Sequence, residues 1–140
     1  MAHEHQRRLR ILLGIMAFTT LSTVLHYTHN FVEIDQYPTS SLISSGIVQV
    51  GVFVVWPLFT AFGMVGYRLY SQRRYKQAHA CLITYSFVGW LTLGHFTSGT
   101  PDIPAFWFAT IFTDAIAAAA ITGFVLWSAR SQAPARVRSV

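Results

Sequence analysis

RLYSQRRYKQ, Arg68 to Gln77, stands at the centre of the chain and decides how the rest is read. It holds four of the ten basic residues and divides two apolar stretches, Leu42–Tyr67 and Ala78–Phe96. Two more lie outside them, Ile11–Phe31 and Ile103–Trp127. Each is near or above the ~20 residues with which a helix crosses a bilayer. Over the 140 residues, 53% are hydrophobic and 11% charged, whereas soluble domains carry roughly 25% charged residues. None of the stretches alternates as a barrel strand does, and helices and closed barrels are the structures that span lipid. The expected fold is all-α, an integral, multi-pass membrane bundle of four transmembrane helices.

The charges orient that bundle. Arg7, Arg8 and Arg10 precede the first segment, Arg68, Arg73, Arg74 and Lys76 lie between the second and third, and Arg130, Arg136 and Arg138 follow the fourth. The other two connections carry only Glu33, Asp35 and Asp102. Four crossings put all three basic regions on one side, and the positive-inside rule makes it cytoplasmic, with both termini. The chain divides into a basic N-terminal tail (1–10), a transmembrane domain (11–128) and a basic C-terminal tail (129–140), the last expected to be disordered. The net charge of +5 then belongs to orientation and anionic headgroups, not to nucleic acid. A signal peptide is the competing reading of the first segment, but no small-x-small cleavage pattern precedes Thr28. Cys81 stands alone and makes no internal disulfide.

Chemistry concentrates at the outer end of the first helix, in HYTHNFVEIDQYP, His26 to Pro38. His26, His29, Asn30 and Glu33 fall at i, i+3, i+4 and i+7, one face of a helix expected to run from Ile11 to about Glu33. Tyr37 has the depth of an interfacial aromatic. The hydroxyls Thr19, Thr20, Ser22 and Thr23 can bond back along their own helix or across to a neighbour. The second helix, from near Leu42, carries Gln49 and the pair Trp56-Pro57, where proline removes a backbone hydrogen bond. The third, Ala78 to about Thr97, ends in Gly94-His95-Phe96. The fourth opens with Phe106-Trp107-Phe108 and carries Asp114 roughly 15 Å down, near the midplane.

These placements predict a single polar chamber in the outer half of the bundle with Asp114 at its base, and an inner half nearly free of polar groups. An acid at mid-span costs ~2.5–3.5 kcal/mol on insertion scales, so Asp114 is read as functional, against a structural bond to Gln49. Each of the others has a plainer reading. His29 and Glu33 can be an interfacial pair, His26 and His95 interhelical hydrogen bonds, and Gln49 helix glue. Trp56 and Trp107 can be packing residues, and His3 and His5 part of a solvated tail.

On these residues the chain resembles the EXPERA family, the four-helix membrane domain of emopamil-binding protein and the sigma-2 receptor. The features are His29 followed four residues later by Glu33, Gln49 seven residues before Trp56 with Pro57 next, and Phe106-Trp107-Phe108 with Asp114 six positions beyond. The resemblance implies a membrane cavity for a sterol, an isoprenoid or another hydrophobic ligand. It also implies double-bond isomerisation, with Glu33 and His29 as proton donors, Asp114 a further catalytic acid, and His26, Asn30, Gln49, Trp56, His95 and Trp107 against the ligand. Gln49 and Asp114 depart from the family pattern, which has an acid and an amide at those places.

No cofactor is expected on that reading. The alternatives are a haem or metal protein using His26, His29 and His95, and a small transporter or accessory subunit with Asp114 as its ionisable group. Partners are then a hydrophobic small molecule or lipid and the membrane itself, with a homo-oligomer or larger membrane complex left open.

Overall fold

The computed structural model describes residues 2–38 and 44–132. Four helices make up the fold: α1 Ala2–Val32, α2 Ser45–Ser71, α3 Tyr75–Leu91 and α4 Ala105–Gln132. A 3-10 turn, Ile34–Gln36, follows α1, and a 3-10 run, Thr92–Thr97, prolongs α3. No strand occurs among the described residues. The helices form a closed ring in which α1 packs on α2 and α4, and α3 on α2 and α4. Their polypeptide order is thus their order around the bundle.

Three of these helices, α1, α2 and α4, are long and apolar enough to cross a membrane. With 17 residues, α3 is about 25 Å long, short of the ~30 Å hydrocarbon thickness, until the 3-10 run adds about 12 Å. Large apolar side chains point outward on every helix. On α2 they include Ile47, Val50, Phe53, Leu58 and Met64, each more than half exposed. Such a surface in water would be a continuous aggregation patch. Facing acyl chains, it costs nothing.

Several boundaries differ from the sequence expectation. The first helix begins in the N-terminal tail, at Ala2, because Leu9 and His5 bury against the inner end of the bundle. Far from being solvated, His5 stacks on Tyr70 and meets the Tyr75 hydroxyl through Nδ1 at 3.2 Å. At the other end α4 continues to Gln132, held by Ser128 under Tyr70. The disorder expected after Trp127 therefore does not begin there, and 133–140 fall outside the described residues. So does the expected start of the second helix at Leu42. The third stops being an α-helix at Leu91, where Thr92 Oγ1 donates to the Gly89 carbonyl at 2.7 Å.

The α2–α3 corner is tight. Arg73 takes φ 62°, the left-handed region, and the Arg73 and Arg74 amides donate to the Tyr70 and Leu69 carbonyls at 3.0 and 2.9 Å. This pattern ends a helix with paired carbonyls, usually with glycine at the left-handed position. Glycine matters more between helices. A Cβ on Gly63 would stand 2.6 Å from the Tyr85 ring, and one on Gly89 would meet the Asp114 carbonyl oxygen inside contact distance. Small residues at these crossings let α2, α3 and α4 approach closely where no hydrophobic force separates protein from lipid.

The apolar core lies in the inner half: Leu9, Leu12, Tyr70, Ala78, Leu82, Tyr85, Val88, Ile121, Phe124 and Val125. It is not free of polar groups, as the sequence suggested. Ser128 Oγ gathers Tyr70 Oη at 2.8 Å, His79 Nε2 at 3.2 Å and Gln132 Nε2 at 2.9 Å. Such pairing is what buried polar groups require wherever no water reaches them.

Candidate functional site

The outer third of the bundle holds a cluster of imidazoles. Helical spacing puts His26, His29 and Asn30 on the inward face of α1, and all three are buried. His26 is caught between two elements. Its Nδ1 lies 3.1 Å from Thr110 Oγ1 of α4, and its Nε2 lies 3.2 Å from His95 Nε2 of the 3-10 run. Asn30 reaches the same His95 nitrogen, with Nδ2 at 3.1 Å. A straight continuation of α3 would rotate His95 elsewhere; the change of helical period from 3.6 to 3.0 residues sets its direction.

His29 turns aside from this trio. Its ring stacks on Trp107 with centroids 4.5 Å apart and planes 25° off parallel, and its Nδ1 meets Tyr37 Oη at 2.9 Å. Tyr37 is buried, and its ring also lies 4.8 Å from that of His95. Sequence reading missed Tyr37 and Thr110 as members of the cluster. The proline after Tyr37 marked a turn, but nothing local showed that the turn folds back over the helix end.

Glu33 does not join. The helix ends one residue earlier, so the fourth position of the polar stripe swings out to an exposed site, where Gln36 Nε2 donates to it at 2.9 Å. Among the described residues the ion pairs are those of Glu4 with Arg7 and Arg8, so no His29–Glu33 pair forms. Gln49 is also elsewhere. Its Nε2 donates to the Phe31 carbonyl at 2.9 Å, satisfying an acceptor that the end of α1 leaves open. The plainer reading of Gln49, as a tie between helices, describes its contact, and the structural bond to Asp114 weighed as the alternative is absent.

Asp114 lies deeper, fully buried. Ser22 Oγ of α1 donates to its Oδ1 in a very short contact and also stands 2.6 Å from Thr113 Oγ1. The second carboxyl oxygen, Oδ2, has no hydrogen-bond partner among the described residues. The hydroxyls of α1 thus divide by direction. Thr19 bonds back to the Ile15 carbonyl at 2.8 Å, Thr20 and Ser22 reach across to Tyr85 and Asp114, and Thr23 does both, donating to the Thr20 carbonyl at 3.2 Å and accepting from Trp56 Nε1.

The single chamber expected from the sequence is therefore replaced by two polar clusters one above the other and by grooves on the outside of the bundle. One groove of about 270 Å³ runs between α1 and α2, lined by Val24, Tyr27, Thr28, Phe31, Val52, Phe53, Trp56 and Pro57. A second, of about 440 Å³, opens at the outer rim beside His29, Glu33, Gln36 and Trp107. Asp114 lines neither. Three imidazoles on one centre do not form either: among the described residues, no three His, Cys, Asp or Glu side chains are grouped to hold a metal ion. Comparison with protein-family models, with curated proteins and with solved structures finds no match to this chain.

Proposed function

We propose that this chain is a four-span membrane protein, with the start of α1, the α2–α3 corner and the end of α4 on the cytoplasmic side, that holds an apolar lipid segment in the groove between α1 and α2. The topology is supported by the 3-10 run, which brings the third segment to spanning length, and by the ten basic residues, all in the three regions that four crossings place together. The guest class is supported by one feature of the groove. Its two polar aromatic tips are already occupied: Trp56 Nε1 donates to Thr23 Oγ1 at 3.1 Å and Tyr27 Oη to the Val88 carbonyl at 2.7 Å. What they present to the groove is ring face alone. Pro57 adds an apolar ring at a place where the backbone has no N–H to offer.

Such a surface suits an isoprenoid, a sterol or a long acyl chain, the guests that the EXPERA resemblance also implies. It suits retention better than conversion. Glu33 belongs to the other groove and Asp114 is closed over by Ser22, so neither acid is placed to protonate a molecule lying along Trp56.

The test is mass spectrometry of lipids carried by the protein purified in mild detergent, beside a Val52→Trp variant that fills the groove from α2. The expected result is one defined lipid species on the wild type and its loss, by about tenfold or more, from the variant with unchanged helicity. Equal lipid content in the two proteins would refute the assignment.

A further inference from the structure

We infer that the cleft at the inner end of the bundle, between the start of α1 and the α2–α3 corner, binds a phosphate-bearing anion through Arg8, Arg73 and the His5–Tyr75 pair.

Three elements build the cleft. It measures about 360 Å³ and is lined by Glu4, His5 and Arg8 of α1, Arg73 of the corner and Tyr75, the first residue of α3. Its charge is unbalanced. Glu4 is its one carboxylate, and three donors already occupy it: Arg7 Nε at 3.0 Å, Arg7 Nη2 at 2.9 Å and Arg8 Nε at 3.0 Å. Against that single negative charge stand the guanidinium groups of Arg7, Arg8 and Arg73, and two positive charges remain uncompensated.

The two arginines of the lining differ in an informative way. Arg8 is held in place by the fold: its side chain is 15% exposed, and its guanidinium lies 4.9 Å from the centre of the Trp127 ring while Nε holds Glu4. A side chain ordered in advance loses little freedom on binding. Arg73 is the reverse. Among the described residues its side chain makes no hydrogen bond and no ion pair. It stands at φ 62°, a backbone setting that favours glycine. No contact among the described residues accounts for an arginine there. A ligand of opposite charge does.

A neutral donor follows from counting protons. Tyr75 Oη and His5 Nδ1 stand 3.2 Å apart, and neither side chain makes another hydrogen bond among the described residues. A neutral imidazole and a phenol bring one N–H and one O–H, and their contact uses one of the two. Either the tyrosine hydroxyl or the His5 Nε2–H is therefore left to donate. The start of α3 adds to this, since no side chain caps it and the first amides of a helix have no partner within it. That end of a helix favours anions. Donors thus approach from α1, from the corner and from α3. A phosphate presents oxygens in several directions to meet them, where a carboxylate presents two in one plane, and guanidinium groups bind phosphate in paired hydrogen bonds. A phospholipid headgroup and a soluble phosphate share this chemistry.

The experiment uses the full chain in mild detergent, freed of lipid. Native mass spectrometry follows phosphatidylglycerol and phosphatidylcholine, and calorimetry follows inorganic phosphate. Saturable binding of phosphatidylglycerol, stronger than that of phosphatidylcholine, assigns a headgroup; binding of inorganic phosphate alone assigns a soluble ligand. Either supports the site, and binding of neither overturns it. Arg73→Gly should weaken whichever binds by about tenfold or more, the loss of one charge-assisted hydrogen bond, with helicity unchanged because glycine suits that backbone. Arg73→Glu, which keeps a side chain there and reverses its charge, should abolish binding. Arg68→Ala and Arg130→Ala each remove one exposed charge from the same end but outside the cleft, and should change affinity by less than about twofold. Val52→Trp, which fills the α1–α2 groove, should leave it unchanged, so this site and the proposed lipid groove fail separately. Losses from Arg68→Ala or Arg130→Ala equal to that from Arg73→Gly would mean general attraction to a basic surface and overturn the proposal. Wild-type affinity in Arg73→Glu would do the same.

Discussion

The two ends of this bundle solve the same problem differently. At the inner end, polar side chains are paired: Tyr70, His79 and Gln132 converge on Ser128, and His5 meets Tyr75. At the outer end and mid-span, two buried oxygens, Asn30 Oδ1 and Asp114 Oδ2, have no partner among the described residues. A buried polar atom without a partner costs about 1–3 kcal/mol, and a sequence concerned with folding alone would replace it. The inner end reads as a structural clamp. The outer end and the mid-span leave two buried oxygens for which the described residues supply no donor.

Substitutions can break this contrast, and the largest expected effect is in the inner core. Leu82 is fully buried against Gly66 of α2, so Leu82→Ala leaves a cavity that rigid helices close poorly. In lipid the unfolded helices remain in an apolar medium, so the transfer part of the cost is small and the packing part remains. A loss of about 2 kcal/mol is expected, the low end of the range for buried leucine, measured by unfolding in mixed micelles of increasing SDS content. No loss would mean that the inner core is not what holds the bundle.

The next effect sharpens the contrast at Asp114. Ser22→Ala removes the one group that donates to this carboxyl and leaves both of its oxygens unpaired, for an expected loss of about 1–2 kcal/mol. Asp114→Asn keeps an oxygen for Ser22 and should change stability by less than about 1 kcal/mol. Made together, the two should cost less than their sum, because they act on one contact. An Asp114→Asn variant that unfolds as readily as Ser22→Ala would show that the acid is itself a fold determinant, and the division between the two ends would fail.

How far the sequence foretold this division depends on the distance over which each signal acts. Four apolar segments, their order and the basic residues between them are local properties, and the helices appear where those segments lie. The inward face of His26, His29 and Asn30 was likewise legible, since it follows from the helical period. Glu33 was misplaced by a single residue: a stripe at i+7 holds only while the helix lasts, and α1 stops at Val32. Gln49 was misread because its partner is a backbone carbonyl that any residue at position 31 would supply. Tyr37 and Thr110 were invisible as cluster members, since their contacts depend on how a turn and a distant helix dock. The single chamber failed for the same reason. Distance along a helix can be counted from sequence, but rotation about the helix axis decides whether polar groups meet, and in the fourth helix no local pattern fixed it.

The smallest effect lies at the polar start of α1, ahead of its apolar segment, and concerns pH. Arg7 and Arg8 both donate to Glu4, at 2.9 and 3.0 Å, and these hydrogen bonds hold its carboxyl down at about 2 against an ordinary 4.5. A carboxyl whose folded value is depressed contributes stability that is fully present above the ordinary value and is lost as pH falls from there through the folded value. The first helical turn should therefore hold at pH 5 and above and loosen progressively between about pH 4.5 and 2. Glu4 is at the solvent surface, where screening makes such pairs weak, so the loosening stays local. Corrected for the intrinsic pH dependence of exchange, amide protection at residues 5–8 should fall on acidification and, in Glu4→Gln, be low already at neutral pH, while protection around Tyr70 and Ser128 stays high in both. If acidification or Glu4→Gln instead loosened Tyr70 and Ser128 together with the first turn, the inner clamp would depend on a surface ion pair and not on its own buried hydrogen bonds.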